Sequence, residues 1–125
     1  HLWQGRFYSC ALDEPHLYTA VRYVENNPVR AKIVGKAYEY KWSSARSHTY
    51  KEVNPLLSDN CHLTEQIHDW LLYLEEKDDE CMVDTIRSNS KTGRPCGDDG
   101  FMQTVEDMVG RRLKAMPKGR PRKAE

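Results

Sequence analysis

The chain has 125 residues, with 19 basic and 19 acidic side chains, a formal net charge of zero and 30% charged residues. That length suits one small domain with a core of its own. No apolar run approaches the roughly 20 residues a membrane-spanning helix needs, so no membrane partner is expected.

The opening, His1-Leu2-Trp3, lacks the character of a signal peptide and does not begin with Met, which reads as an excised or processed piece. Four cysteines, Cys10, Cys61, Cys81 and Cys96, are scattered, with no C-x-x-C pair and no histidine at zinc-finger spacing. Reduced thiols in a cytoplasmic protein are therefore expected, rather than a structural zinc or a disulfide framework. Zero net charge hides a gradient. Glu65 to Asp84 is dominated by carboxylates, whereas Arg111, Arg112, Lys114, Lys118, Arg120, Arg122 and Lys123 make the end basic. Such asymmetry points to an anionic partner for the tail, or to a solvated charge run.

In chain order, residues 4–12 are rich in aromatic and small side chains and read as a short strand. Asp13-Glu14-Pro15 is a helix start, and Leu17, Ala20, Val21 and Val24 carry the helix to about Asn26. Asn27-Pro28 ends it, since a residue before proline is pushed out of the helical region, and Pro28 can open a further turn through Ala31. Lys41 to Arg46 offers serine caps for a short helix, with Trp42 at the stapling position.

After a loop around Asn54 to Asn60, a Thr64 cap precedes Ile67, Trp70, Leu71 and Leu74 at a 3.6-residue period, the clearest amphipathic helix in the sequence. A helix from Asp79 to Arg87, a turn-rich connector from Ser88 to Gly97, and a last helix from Asp98 or Asp99 to Leu113 follow. The helix–connector–helix could be a helix-turn-helix reader or a plain hairpin; its connector is longer than the usual three or four residues. The tail beyond Met116 is expected to be disordered without a partner.

The string Val21-Arg22-Tyr23-Val24-Glu25-Asn26-Asn27-Pro28-Val29-Arg30-Ala31 lies between Leu2-Trp3-Gln4-Gly5-Arg6-Phe7 and Trp42-Ser43-Ser44. Further along come Thr92-Gly93-Arg94-Pro95, Gly110-Arg111-Arg112 and Gly119-Arg120-Pro121-Arg122-Lys123. Together these resemble the REP-associated tyrosine transposases, single-strand DNA transposases with a His-hydrophobic-His and Tyr active site, over nearly the whole chain.

The resemblance implies a mainly α chain: a helical fragment with one short N-terminal strand, from an α+β single-strand transposase domain whose sheet-forming N-terminal half is missing. Residues 1–50 would be the C-terminal part of the catalytic domain, 51–116 a helical C-terminal region, and 117–125 a basic tail. It implies that Tyr23 attacks single-stranded hairpin DNA to form a 5′-phosphotyrosine link. A divalent metal, Mg²⁺ or Mn²⁺, would assist, with Asn27 as one ligand. A phenol with a pKa of about 10 is a poor nucleophile at neutral pH unless the phosphate is polarised, and an Asn oxygen is a suitable hard ligand. On its own terms a tyrosine beside an apolar stripe is a core or boundary residue, and Asn27 before proline is a helix terminator.

The family's His-hydrophobic-His pair is absent: His1, His16, His48, His62 and His68 are never two apart. This chain alone is therefore expected to hold no metal and to be inert, with about a hundred further residues elsewhere, given usual domain size. Arg6, Arg22 and Arg30 are candidates to hold a DNA backbone, or to pair with Glu14, Glu25 or Glu39. Arg94 sits in the connector triplet. Lys118, Arg120, Arg122 and Lys123 form an AT-hook-like core that would touch phosphates or enter an A·T minor groove. A second reading is a non-catalytic DNA-binding helical module with a basic tail. A third is a helical interaction domain whose acidic and basic halves meet.

Overall fold

A carboxylate just before a proline-bearing turn can accept the orphan N–H groups of a nascent helix, and Asp13 does so: the His16 N–H donates to its Oδ1 at 3.0 Å. The computed structural model describes residues 5, 8–58, 60–115 and 119, and the helix begun there is α1 (Glu14–Glu25). Next come α2 (Asn27–Arg30), a 3-10 turn (Ala37–Glu39), α3 (Ala45–Tyr50), α4 (His62–Gln66), α5 (Trp70–Glu75), α6 (Glu80–Thr92) and α7 (Asp99–Val109). The chain is mainly helical, and no described helix is long and apolar enough to cross a membrane.

Of the strand expected over residues 4–12, the described residues 8–12 supply only an isolated parallel bridge from Leu12 to Cys96. The Cys96 N–H donates to the Ala11 carbonyl at 2.8 Å and the Asp13 N–H donates to the Cys96 carbonyl at 2.9 Å. Asp13 and Asp98 then cap α1 and α7, so both segments turn into helices before a ladder can grow. The expected helix behind Thr64 is two short helices. The Asp69 side chain accepts from the Leu72 N–H at 3.0 Å, starting α5 afresh after a break at Ile67-His68.

α6 runs to Thr92, five residues past the expected end at Arg87. It stops where Gly93 takes φ 73°, a left-handed conformation that glycine adopts without a Cβ clash. α7 likewise stops at Gly110, φ 66°, rather than at Leu113. Trp42 staples nothing; it is 75% exposed.

Ala37, Ala45, Leu63, Trp70, Tyr73 and Leu74 form the core, and Leu17, Tyr18, Val21 and Val29 pack on it from α1 and α2. Residues before and after position 50 thus share one apolar cluster. On its other flank α1 meets α6, where Thr19 is buried and its hydroxyl lies 3.7 Å from Met82 Sδ.

At the centre lies a charged group. Glu25 is 2% exposed, and its carboxylate accepts from the Ser44 hydroxyl, from His48 Nδ1 at 2.8 Å and from the Trp70 indole N–H at 2.7 Å. A carboxylate is an acceptor only, and each of these partners presents a donor, which offsets the desolvation of burying it. Ser44 thus bonds Glu25 instead of capping α3, which has no side-chain cap.

Tyr73 is a second fixed point: its hydroxyl donates to the Tyr18 carbonyl oxygen, and burial pushes its pKa from 10.0 up to about 12. A tyrosine with a raised folded-state pKa contributes stability that is complete below pH 10 and is lost as pH rises through about 12. Unfolding free energy measured by urea titration should therefore fall steeply over that alkaline window. Tyr73→Phe should flatten the fall; an unchanged alkaline profile in that variant would remove Tyr73 as its source.

Candidate functional site

Of the Val21–Ala31 string, Arg22, Glu25 and Pro28 are buried, whereas Tyr23 is half-buried and Arg30 exposed. Arg22 is 8% exposed. Its guanidinium donates to Glu76, to Asp78 at 2.7 Å and to the Tyr73 carbonyl at 3.3 Å, and lies 5.0 Å from the Tyr73 ring centroid. Burial works against the charge, yet Asp78 and Glu76 hold its pKa above the ordinary value. Arg22 is therefore tied into the fold as the clamp between α1 and the α5–α6 turn. Its partners are none of the three acids that the sequence suggested.

Tyr23, half-buried, faces the opposite way into a cleft of about 390 Å³ lined by Arg30, Lys77, Asp78, Glu80, Val83, Asp84 and Arg87. Its hydroxyl accepts from Arg87 Nε at 3.0 Å. The Arg30 guanidinium lies 3.7 Å from the ring centroid and that of Arg87 5.0 Å, so two cations embrace one phenol. Arg30 also donates to the Tyr23 carbonyl oxygen, which fixes it against the end of α1.

The hydrogen bond from Arg87 to Tyr23, with Asp84 at 3.2 Å, raises the Arg87 pKa. Three basic and three acidic side chains line the cleft. Two of the acids are paired: Asp78 meets Arg22 at 2.7 Å and Arg30 at 3.8 Å, and Asp84 meets Arg87. Of the cations, Arg87 is the one that donates to the phenol oxygen.

Asn27 is not on the same helix as Tyr23. α1 ends at Glu25, Asn26 caps it, and Asn27 opens α2, exposed and away from the lining of the cleft. The Asn26 side chain donates instead to the Leu74 carbonyl at 2.9 Å, which pins the kink. Among the described residues no three His, Cys, Asp or Glu side chains group as metal ligands. The His-hydrophobic-His pair that the family reading requires is not in this sequence.

Arg94 is exposed on the connector between α6 and α7, whose Pro95 is buried and whose Pro95 carbonyl accepts from the Asn89 side chain at 2.8 Å. Arg6, Lys118, Arg120, Arg122 and Lys123 lie outside the described residues. Arg87 was missed by sequence reasoning. It lies 64 residues from Tyr23 and belongs to no motif, so only tertiary packing of α6 on α1 reveals it.

No family model, curated protein or solved structure matches this chain.

The two arginines of the string should behave oppositely. Arg22→Ala strips a buried guanidinium from two carboxylates and should lower stability by about 3 kcal/mol, whereas Arg30→Ala should leave the unfolding midpoint nearly unchanged. Chemical denaturation of both variants checks this; equal losses would mean that Arg22 is no clamp.

Proposed function

We propose that this chain is the tyrosine-bearing part of a single-strand DNA transposase and that Tyr23 is its nucleophile. The observation that carries this reading is the pair of guanidinium groups, Arg30 and Arg87, around a half-buried phenol that opens into a cleft. A phosphodiester brought to the Tyr23 oxygen would meet charge-assisted donors on two sides. In the step, the phenol oxygen forms a bond to phosphorus and gives up its proton to a base. The phosphorus–O3′ bond breaks, leaving a 5′-phosphotyrosine and a free 3′-hydroxyl. Arg30 and Arg87 neutralise the phosphate oxygens as charge builds on them.

The quoted strings support the choice of DNA as the substrate, with single-stranded hairpins as the preferred form. The family's divalent metal would polarise the same phosphate; its ligands would come from the His-hydrophobic-His motif, outside this sequence. The basic tail, with Lys118, Arg120, Arg122 and Lys123, adds phosphate contacts in this reading.

A non-catalytic DNA-binding module is the second reading. It is favoured by the same Arg87–Tyr23 hydrogen bond, which also serves to fasten α6 to α1. Trapping on a denaturing gel separates the two. In the longer protein that supplies the His pair, incubation with a labelled single-stranded hairpin and Mn²⁺ should give a covalent protein–DNA adduct. Tyr23→Phe should abolish the adduct and leave hairpin binding within a few-fold, since it deletes the attacking oxygen and little packing. Undiminished adduct in that variant would end the assignment. Replacing both Arg30 and Arg87 by Ala should make the slope of log affinity against log salt shallower by roughly 1.4 on single strands, at about 0.7 per phosphate contact.

A further inference from the structure

Two thiols that the proposed reaction does not use lie side by side where the chain enters α1 and where it leaves α6. Cys10 stands three residues before Asp13, the cap of α1, and Cys96 follows α6 on the connector to α7. Backbone contacts on both sides of Cys10 hold the two segments together. The Ser9 carbonyl oxygen lies beside Gly93, where a Cβ would sit 3.6 Å from it. On the other side, the Ala11 carbonyl accepts from the Cys96 N–H at 2.8 Å, and Leu12 bridges Cys96 in parallel.

That register brings the Cys10 thiol into hydrogen-bonding contact with Cys96 Sγ. The two thiols differ in access. Cys96 is 1% exposed, and burial, together with its neighbour Cys10, pushes its pKa up to about 11, so it stays protonated at neutral pH. Cys10 is only partly covered and meets solvent. The other two thiols lie elsewhere: Cys61 packs against the apolar core, and Cys81 is exposed on the first turn of α6.

We propose that Cys10 and Cys96 form a reversible disulfide when the protein meets a hydroperoxide, which fastens the segment before α1 to the connector after α6. Cys10 gives up its proton and attacks one peroxide oxygen; the O–O bond breaks, leaving a sulfenic acid and water. Cys96 then attacks the Cys10 sulfur, the S–O bond breaks, and the Cys96 proton leaves with the hydroxide as water. The two thiols are oxidised by two electrons in all, and the peroxide is reduced to water. Thiols already in contact need little movement to reach disulfide geometry, and exchange with a small thiol reopens the bond. Because α1 carries Tyr23 and α6 carries Arg87, the bond locks the helix pair that frames the cleft. The disulfide does not depend on the nucleophile role of Tyr23.

Hydrogen peroxide treatment of the reduced 125-residue chain, followed by alkylation and peptide mapping without reductant, should give a Cys10–Cys96 cross-linked peptide pair lighter by two hydrogens. Dithiothreitol should remove it. The oxidised chain should unfold at a higher urea concentration than the reduced one, because the cross-link closes a loop over most of the chain. Cys10→Ser should abolish both the cross-link and the shift, while Cys61→Ser and Cys81→Ser leave them intact. In Cys96→Ser, Cys10 should stop at the sulfenic acid, which dimedone traps. Circular dichroism checks the fold of each variant; where the buried Cys96→Ser does not fold, the partly exposed Cys10→Ser decides. Cross-links from Cys10 to Cys61 or Cys81, dimers joined through Cys10, or a Cys96 that stays reduced while Cys81 is oxidised would overturn the proposal.

Discussion

A single buried carboxylate holds this fold together. Glu25 ends α1, Ser44 and His48 belong to the turn into α3 and to α3 itself, and Trp70 opens α5, so three hydrogen bonds on one side chain join elements up to 45 residues apart. Burying such a group without donors would cost several kcal/mol, and removing it would leave the buried Trp70 indole N–H unpaired. The apolar cluster packs around the same point: Trp70 stacks on His48 with ring centroids 4.4 Å apart and meets Tyr73 at 5.1 Å. Hydrophobic contact alone is non-directional. The hydrogen bonds to Glu25 fix how α1 sits on α3 and α5.

That constraint reaches the candidate site through α1 itself. With Glu25 and Arg22 drawn inward, one turn apart, Tyr23 between them must face the other way, toward α6. Arg22 clamps the α5–α6 turn through Glu76 and Asp78, and the same Asp78 meets Arg30 at 3.8 Å. The kink at Asn26, just before α2, swings Arg30 back over the Tyr23 ring. Structural and chemical roles are therefore interleaved along one string of residues, and the inward ones position the outward ones.

Local chemistry made much of the helical layout legible. The Asp13 cap, the apolar stripe of α1 and the break at Asn26-Asn27-Pro28 all fall where capping and periodicity place them. What local rules obscured were competing caps and tertiary demands. The periodicity behind Thr64 reads as one helix, but the Asp69 side chain is an N-cap, and α4 and α5 separate there. Ser44 was read as a cap, but its hydroxyl serves Glu25. The strand over residues 4–12 was inferred from composition; in the described part its one pairing is with Cys96, more than eighty positions away, which no local pattern reveals. At the site, Tyr23 and Arg30 were singled out from the string, whereas Arg87 comes from the far side of the packing and Asn27 falls outside the cleft.

The indole N–H of Trp70 reports on the central constraint most directly, because it is buried and donates to Glu25 at 2.7 Å. Its hydrogen exchange can be followed by NMR beside that of Trp42, which is 75% exposed. If Glu25 anchors the fold, the Trp70 indole proton exchanges only through global unfolding, at a free energy equal to that from denaturant titration. Glu25→Gln should lower both values together. Exchange of the Trp70 indole as fast as that of Trp42 would contradict the anchor and, with it, the positioning of Tyr23.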